Sequence, residues 1–271
     1  MLKIDNDVSS PFGTYSLSPI QKVILSIARL PGLCRGWARP TWTRMFDWLR
    51  PGAIDYVDDE GIFRLYPTTN GPENGILFRK DYNFAEINFL KAALGSNSVF
   101  VDIGANIGLY SIRIAKAISS TGGKAIAIEP NPPTLERLKF NVKANTLDNV
   151  SIHAVAIGDY RGSANLKVQK EDLGSVNTER NDETGEVPVV PLEDILEKES
   201  VNQIDALKID IEGYEYRALL PFFTHCSKKM WPKRISIEHL GDKSDIETLL
   251  VDIGYNFRGK TRSNAFYSLG G

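Results

Sequence analysis

The stretch SVFVDIGANIG, residues 98–108, decides the fold predicted for this chain. Its first half is a continuous apolar run, which is typical of a strand buried on both faces of a parallel sheet. Its second half carries Gly104 and Gly108, where that strand would turn into a helix. In doubly wound α/β folds, nucleotides bind at this turn. The stretch therefore predicts a first strand, a ligand-binding turn and a first helix.

Strands and helices alternate from this stretch onward. The predicted strands cover residues 98–103, 124–129, 150–157, 204–210 and 234–239, with a closing antiparallel pair at 255–259 and 264–269. The predicted helices cover residues 84–94, 106–118, 132–145, 213–223 and 244–253. Repeated βα units imply a mostly parallel sheet with helices on both faces. The polar residues 161–190 break this alternation, and we expect this insert to cover the active face.

Residues 1–94 differ from this pattern, and we predict that they form an accessory extension before a domain over residues 95–271. The Ser-Pro pair at 18–19 is a helix start signal, and the Pro-Gly pair at 31–32 is a stop signal. Short apolar runs between turn residues over 54–80 predict a β-hairpin or a small meander.

Residues 19–50 are basic and rich in aromatic side chains. The segment carries six Lys or Arg residues against Asp47 alone, together with three Trp residues and Phe46. Such a segment can lie on an anionic membrane surface. In the alternative interpretation, its aromatic side chains pack on the main domain and its arginines are solvated.

Composition narrows the classes of function. The 271 residues are 42% hydrophobic and carry a net charge of −2, so no global basic field favours a nucleic-acid partner. The apolar run at 23–30 is too short to span a bilayer, and no signal-peptide pattern precedes it. We therefore expect a cytoplasmic protein, with peripheral attachment at the inner face of the membrane as the alternative.

Asp102 discriminates between two cofactors. The dinucleotide fingerprint GxGxxG has a glycine where Asn106 stands in this chain. A carboxylate beside the turn would repel a pyrophosphate at the helix N-terminus, whereas it suits the amino group of S-adenosylmethionine (SAM). The sequence thus favours SAM, and an NAD-dependent oxidoreductase on a similar sheet is the alternative.

Two further strand ends complete the predicted cofactor site. Glu129 ends the second strand, where an acidic residue can accept hydrogen bonds from both ribose hydroxyls. Ala156 ends the third strand, where an adenine contact would come from the backbone or from nearby Asp159. The predicted cofactor-binding residues are Asp102, Gly104, Ala105, Asn106, Gly108, Glu129, Asn131 and Ala156.

Acidic residues follow the predicted fourth strand in LKIDIEGYE, residues 207–215. Asp210 and Glu212 fall at the carboxyl edge of the sheet, where they can deprotonate an acceptor hydroxyl. A divalent metal ion held by Asp210 and Glu212 would assist this step. Alternatively, the acids favour a helix start and Lys208 neutralises Asp210. The predicted catalytic residues are Asp210, Glu212 and, as an alternative base at the end of the fifth strand, His239.

Three blocks together resemble the FkbM family of SAM-dependent methyltransferases. They are FVDIGANIGLYS (100–111), IEPNP (128–132) and LKIDIEGYE (207–215), and the likeness covers roughly residues 84–269. NVKAN (141–145) and VPLED (190–194) fit the same order. Tyr214 stands where a small residue is more usual in this family.

The resemblance implies a fold and an activity. The fold is the class I methyltransferase fold, a Rossmann-like seven-stranded, mostly parallel sheet whose last strand is antiparallel. The activity is SAM-dependent O-methylation of a hydroxyl on a sugar of a glycan, glycolipid or glycosylated natural product. A non-catalytic, membrane-associated scaffold that works through its basic N-terminal segment is the remaining alternative.

Overall fold

The computed structural model describes residues 6–33, 38–69, 71–169, 172–181, 183–238 and 245–270. The helices are α1 (Pro19–Ala28), α2 (Ala38–Leu49), α3 (Gly71–Phe78), α4 (Phe84–Lys91), α5 (Leu109–Ile118), α6 (Pro132–Ala144), α7 (Leu192–Lys198), α8 (Glu215–His225) and α9 (Asp245–Asp252). The strands are β1 (Ile54–Val57), β2 (Ile62–Leu65), β3 (Val99–Ile103), β4 (Lys124–Ile128), β5 (Val150–His153), β6 (Ala156–Ile157), β7 (Gly162–Gln169), β8 (Asp172–Arg180), β9 (Val187–Val190), β10 (Ala206–Ile209), β11 (Arg234–Glu238), β12 (Tyr255–Lys260) and β13 (Asn264–Leu269).

Seven of the described strands form one sheet in the order β12-β13-β11-β10-β3-β4-β5. Strands β11, β10, β3, β4 and β5 are parallel, and β13 runs antiparallel to both β11 and β12. The predicted seven-stranded sheet with an antiparallel last strand is confirmed. The carboxyl ends of the parallel strands meet at one edge, where ligands bind in such sheets.

Helices cover both faces of this sheet, as predicted. One hydrophobic cluster contains residues from all six helices α1 to α6, among them Leu25, Ile112 and Leu138. A second cluster holds α7, α8 and α9, with Leu219 and Ile246 among its members. Apolar residues of the strands alternate between the two clusters, because successive side chains of a strand point to opposite faces.

The N-terminal extension packs directly on the sheet domain. Its first helix starts at the predicted signal, where Ser18 and Gln21 form a reciprocal capping box. The β1–β2 hairpin confirms the first half of the predicted meander. The Arg64 N–H donates to Asn141 Oδ1 (2.7 Å), and the two parts share one hydrophobic cluster. The domain boundary at residue 95 stays a prediction.

The second half of the predicted meander was wrong, because residues 71–78 form α3. Short apolar runs do not distinguish a strand from a buried helix by periodicity alone. A tertiary contact favours the helix here. Glu73 is fully buried in α3 and pairs with Arg137 Nη1 of α6 (2.6 Å).

The predicted third strand is also shorter than expected. It splits into β5 in the main sheet and β6, which pairs in parallel with β9 in a second sheet of order β6-β9-β7-β8. Most of this second sheet comes from the predicted insert, and β8 lies beside α3 and α6.

The described residues include no helix with the length and apolar character that a membrane span requires.

Candidate functional site

The turn after β3 is so tight that its first position requires glycine. Gly104 has a φ of +75°, and a Cβ atom there would lie 2.1 Å from the main-chain oxygen of Asp210. The Gly104 and Ala105 N–H groups both donate to the carbonyl of Ile128, at 3.0 Å. The turn is therefore held against the ends of two neighbouring strands, β4 and β10.

Asp102 lies beneath this turn. Its carboxylate is fully buried, and Oδ2 accepts hydrogen bonds from the Ser111 Oγ (2.6 Å) and N–H (3.1 Å). Burial raises the pKa of Asp102, while Lys208 and Ser111 oppose that rise. The side chain ties the first turn of α5 to β3, and it has no surface exposed to solvent or to a ligand.

Lys208 is a buried cation that connects the turn to the acidic residues. Its Nζ donates to the Gly104 carbonyl (2.7 Å) and lies 3.7 Å from Asp102 Oδ1 and 3.6 Å from Asp210 Oδ2. Burial alone would lower the pKa of Lys208, but the surrounding carboxylates, first Asp210 and then Asp102, outweigh it and raise the pKa. The ammonium group therefore stays charged and supports the turn from below.

Glu129 reaches the same turn from the end of β4. Its Oε2 accepts a hydrogen bond from the Asn106 N–H (2.8 Å), and its Oε1 accepts one from the Asn131 N–H (2.9 Å). Burial raises the pKa of Glu129 to about 7, against these two hydrogen bonds. Each carboxylate oxygen has a second lone pair. Glu129 can thus accept hydroxyl donors from the cavity that it lines.

Three carboxylates converge at the ends of β10 and β11. Oxygens of Asp210, Glu212 and Glu238 lie within 4.8 Å of one another. One oxygen of Glu238 is buried without a hydrogen-bond partner among the described residues. Burial, followed by the charges of Asp210 and Glu212, raises the pKa of Glu238 to about 8. The cluster can hold a proton or a hard divalent cation, which prefers carboxylate oxygens.

The backbone beneath this cluster is strained. Glu212 has a φ of +58° and Gly213 a φ of +93°. A left-handed conformation at a residue other than glycine persists where the surroundings enforce it, commonly at functional sites. Glu215 enforces it here, because its Oε1 accepts hydrogen bonds from the N–H groups of Ile211 (2.9 Å) and Gly213 (3.3 Å).

One cavity of about 310 Å³ connects the turn, Glu129 and the carboxylate cluster. Its other wall comes from the α3–α4 segment and the β12–β13 hairpin. These residues are Arg79, Tyr82, Asn83, Glu86, Thr261, Arg262, Ser263 and Asn264. Thr261 Oγ1 donates to Glu86 Oε1 (2.8 Å) and joins the two segments. No motif in the sequence indicated this wall, because its halves are far apart along the chain.

Two tyrosines in the cavity also lacked a sequence signal. Tyr110 is buried on α5, and its hydroxyl has no hydrogen-bond partner among the described residues. Burial, followed by the charge of Asp210, raises the pKa of Tyr82 to about 12. Both side chains therefore stay protonated near neutral pH and can donate hydrogen bonds to a bound ligand.

The remaining predicted residues lie around this cavity. Ala156 lines a small slot of about 30 Å³ that shares Gly104 with the main cavity. Gly108 has a φ of +94°, and a Cβ atom there would lie 2.6 Å from Leu138 Cδ1. The Asn131 side chain donates to Thr134 Oγ1 (2.9 Å). His239 lies outside the described residues, and its neighbour Glu238 is the β11 residue beside Asp210.

Comparison with known proteins identifies the family. The methyltransferase FkbM domain matches residues 102–257, more than half of the chain. The chain belongs to the FkbM methyltransferase family. The match spans the turn, Glu129 and the acidic block, and it favours methyl transfer over the NAD-dependent and scaffold alternatives.

Similarity to individual proteins is low. The chain is 24% identical over 135 residues to the hexuronic acid methyltransferase AglP of Haloferax volcanii, covering 49% of this chain and 53% of AglP. It therefore spans about half the length of that relative. Among solved structures, the METTL16 methyltransferase domain is 18% identical with a TM-score of 0.46, covering 86% of this chain and 80% of that one. A precorrin-6y C5,15-methyltransferase from Geobacter metallireducens is 14% identical with a TM-score of 0.43, covering 70% and 89%.

Proposed function

We propose that this FkbM-family protein transfers a methyl group from SAM to a hydroxyl oxygen of a sugar. The observation that carries the proposal is the single cavity in which the glycine turn and Glu129 face the carboxylates of Asp210, Glu212 and Glu238. One part of the cavity suits a nucleoside, and the other suits a hydroxyl that must lose its proton.

The residues on the turn side fit SAM. The slot beside Ala156 is mostly apolar, as an adenine ring requires, and it adjoins Gly104. Glu129 has lone pairs for ribose hydroxyls, and the main chain at Gly104–Asn106 lines the adjoining space. When bound, SAM supplies a methyl group on a sulfonium that is already a good leaving group. Asp102 acts here as a positioning residue, because it holds Ser111 and Lys208 beneath the turn.

The carboxylate side takes the proton of the acceptor. Asp210 and Glu212 are the proposed bases, and Glu238 shares the proton because the three carboxylates repel one another when all are charged. A general base adds ~10²–10⁴-fold to the rate, while orientation of the reactants can lower the barrier by ~7–11 kcal/mol. The Tyr110 hydroxyl, which has no hydrogen-bond partner among the described residues, can donate a hydrogen bond to the acceptor and hold it in place.

A sugar acceptor is supported by two observations. AglP, the relative with a named acceptor class, acts on a hexuronic acid. The cavity wall formed by the α3–α4 segment and the β12–β13 hairpin, which we call the acceptor wall, also presents Arg79 and Arg262. Their guanidinium groups bind carboxylate and hydroxyl oxygens in a planar geometry. We therefore place hexoses and hexuronic acids first among the acceptors to be tested.

Calorimetric titration with S-adenosylhomocysteine tests the cofactor assignment. We expect micromolar binding to the wild type, at least about tenfold weaker binding to Glu129→Gln, and no binding of NAD. Glu136→Gln is the matched control, because Glu136 is exposed on α6 and pairs only with Lys139 among the ion pairs described. Binding of NAD in place of S-adenosylhomocysteine would disprove the proposal.

Release of S-adenosylhomocysteine with candidate sugars then tests the acceptor, with and without a chelator. If the carboxylates act as a base alone, turnover survives chelation and falls ~10²-fold or more in Asp210→Asn. If they hold a divalent ion, chelation abolishes turnover and Mg²⁺ or Mn²⁺ restores it. Turnover with amine acceptors but not with hydroxyl acceptors would argue against O-methylation.

A further inference from the structure

Helix α1 presents an apolar stripe to solvent. Ile20, Val23 and Ile27 on α1 and Leu30 just after its end recur at helical spacing and are between 44% and 61% exposed. The opposite side of the helix is buried through Leu25 and contacts the core. A stripe of four exposed aliphatic side chains on ten to twelve residues is unusual for a surface that stays in water.

Basic residues flank this stripe. Lys22 is exposed on α1 and Arg44 is exposed on α2, which packs against α1. Neither forms an ion pair within the described part of the chain. Trp48 on α2 is 82% exposed, the largest exposure among the large hydrophobic side chains described. Apolar side chains, Trp and basic residues together are the composition of a helix that lies in a lipid interface.

A groove leads from α1 toward the active cavity. It has a volume of about 450 Å³ and is bordered by Arg29 and Pro31 near the end of α1 and by residues 79–81 after α3. Asp81 pairs with Arg79 (3.6 Å), so Arg29 and Lys80 give the groove its net positive charge. Arg79 lines both this groove and the active cavity. Through Arg79, the groove connects the end of α1 to the active cavity.

We propose that α1 docks the protein on an anionic lipid surface, with the basic groove beside it facing the same lipids. Charge complementarity selects a bilayer over a second copy, because two copies of this basic segment would repel each other. The apolar stripe enters the interface, and Lys22, Arg44 and Lys80 neutralise lipid head groups. A membrane-borne acceptor would then approach the cavity past Arg79. That last step rests on the proposed function, whereas docking does not.

Sedimentation of the full-length protein with vesicles tests the docking. We expect binding to equimolar phosphatidylcholine and phosphatidylglycerol, and at least about tenfold weaker binding to phosphatidylcholine alone. The double variant Val23→Glu, Ile27→Glu should bind the mixed vesicles at least about tenfold more weakly. Val251→Glu is the matched control, because Val251 is 55% exposed on α9, which packs on the other face of the sheet.

A second pair of variants tests the groove. Lys80→Glu should weaken binding to the mixed vesicles and reduce its dependence on salt, whereas Lys229→Glu, at an exposed site, should change neither. Binding of S-adenosylhomocysteine and the thermal midpoint show that each variant is folded, and neither readout needs methyl transfer. Equal vesicle binding by wild type and the double variant would overturn the proposal. So would a wild-type dimer that the double variant converts to a monomer without any vesicle binding.

Discussion

The two sides of the active cavity differ in how completely their polar groups are satisfied. On the turn side, Asp102, Lys208 and Glu129 are buried and have protein partners. Asp102 Oδ1 accepts no hydrogen bond from the described residues, but it lies 3.7 Å from the Lys208 ammonium group. On the acceptor side, Arg262 is exposed and one Glu238 oxygen has no partner among the described residues. A preformed side suits an invariant ligand such as a cofactor. A side with unsatisfied polar groups leaves hydrogen-bond donors and acceptors free for a substrate.

The largest effect is expected from breaking the turn side at Gly104. Gly104→Ala places a Cβ atom 2.1 Å from the Asp210 main-chain oxygen at a φ of +75°. The clash and the strain together should cost roughly 2–5 kcal/mol of unfolding free energy and abolish S-adenosylhomocysteine binding. Chemical denaturation and calorimetry measure both.

Gly95→Ala is the control for that variant. A Cβ atom at Gly95 meets nothing within 4 Å. We expect a change of less than about 1 kcal/mol and unaltered cofactor binding. Similar losses in both variants would show that the tight approach of the turn to β10 is not what the cofactor needs.

The second effect concerns the buried cation. Lys208→Met leaves the Asp102 carboxylate and the Gly104 carbonyl without their ammonium partner. Removal of one member of a buried pair should destabilise the protein by about 3 kcal/mol. Lys233→Met, which breaks the half-exposed pair with Asp205, should cost less than about 1 kcal/mol. Equal losses in urea denaturation would contradict the supporting role of Lys208.

A pH-dependent effect is expected on the acceptor side at Glu238. The folded state raises the pKa of Glu238 from its usual 4.5 to about 8, so the folded state holds a proton that the unfolded chain has lost between these values. This group's contribution to stability is therefore largest below pH 4.5 and falls as the pH rises through 8.

Glu238→Gln removes that pH dependence. As the pH rises from 5.5 to 8.5, the stability of the variant relative to the wild type should increase by about 1–2 kcal/mol, because partial solvation weakens the repulsion among the carboxylates. Denaturation in the presence of a chelator at both pH values measures the gain. Glu136→Gln is the exposed control, and a parallel gain there would mean that the carboxylate cluster is not the source.

The smallest effect is expected at Glu212, where a substitution should change stability and activity in opposite directions. Asparagine tolerates the left-handed conformation better than glutamate, and it removes one charge from the cluster. Glu212→Asn should therefore raise the free energy of unfolding by about 0.5–1 kcal/mol, which thermal denaturation detects as a slightly higher midpoint, while turnover falls. Unchanged turnover would show that Glu212 has no catalytic role and would leave Asp210 as the base.

Sequence reasoning worked best where function depends on neighbours along the chain. The strand–turn–helix around Gly104, the acidic end of β4 and the acidic end of β10 are each local patterns, and the structure places all three around one cavity. It failed for α3, where a buried pair between Glu73 and Arg137 favours a helix that short apolar runs do not reveal.

The sequence by itself determined the alternating βα pattern and the glycine at the tight turn, because the first follows from hydrophobic periodicity and the second from local backbone sterics. Tertiary structure alone decided which residues share the cavity. It brought Tyr82, Glu238 and Arg262 from three distant segments to one edge of the sheet. It also buried Asp102, because pairing with Ser111 and Lys208 depends on the packing of β3, α5 and β10. Such convergence depends on how elements pack in three dimensions, and no window of the sequence contains it.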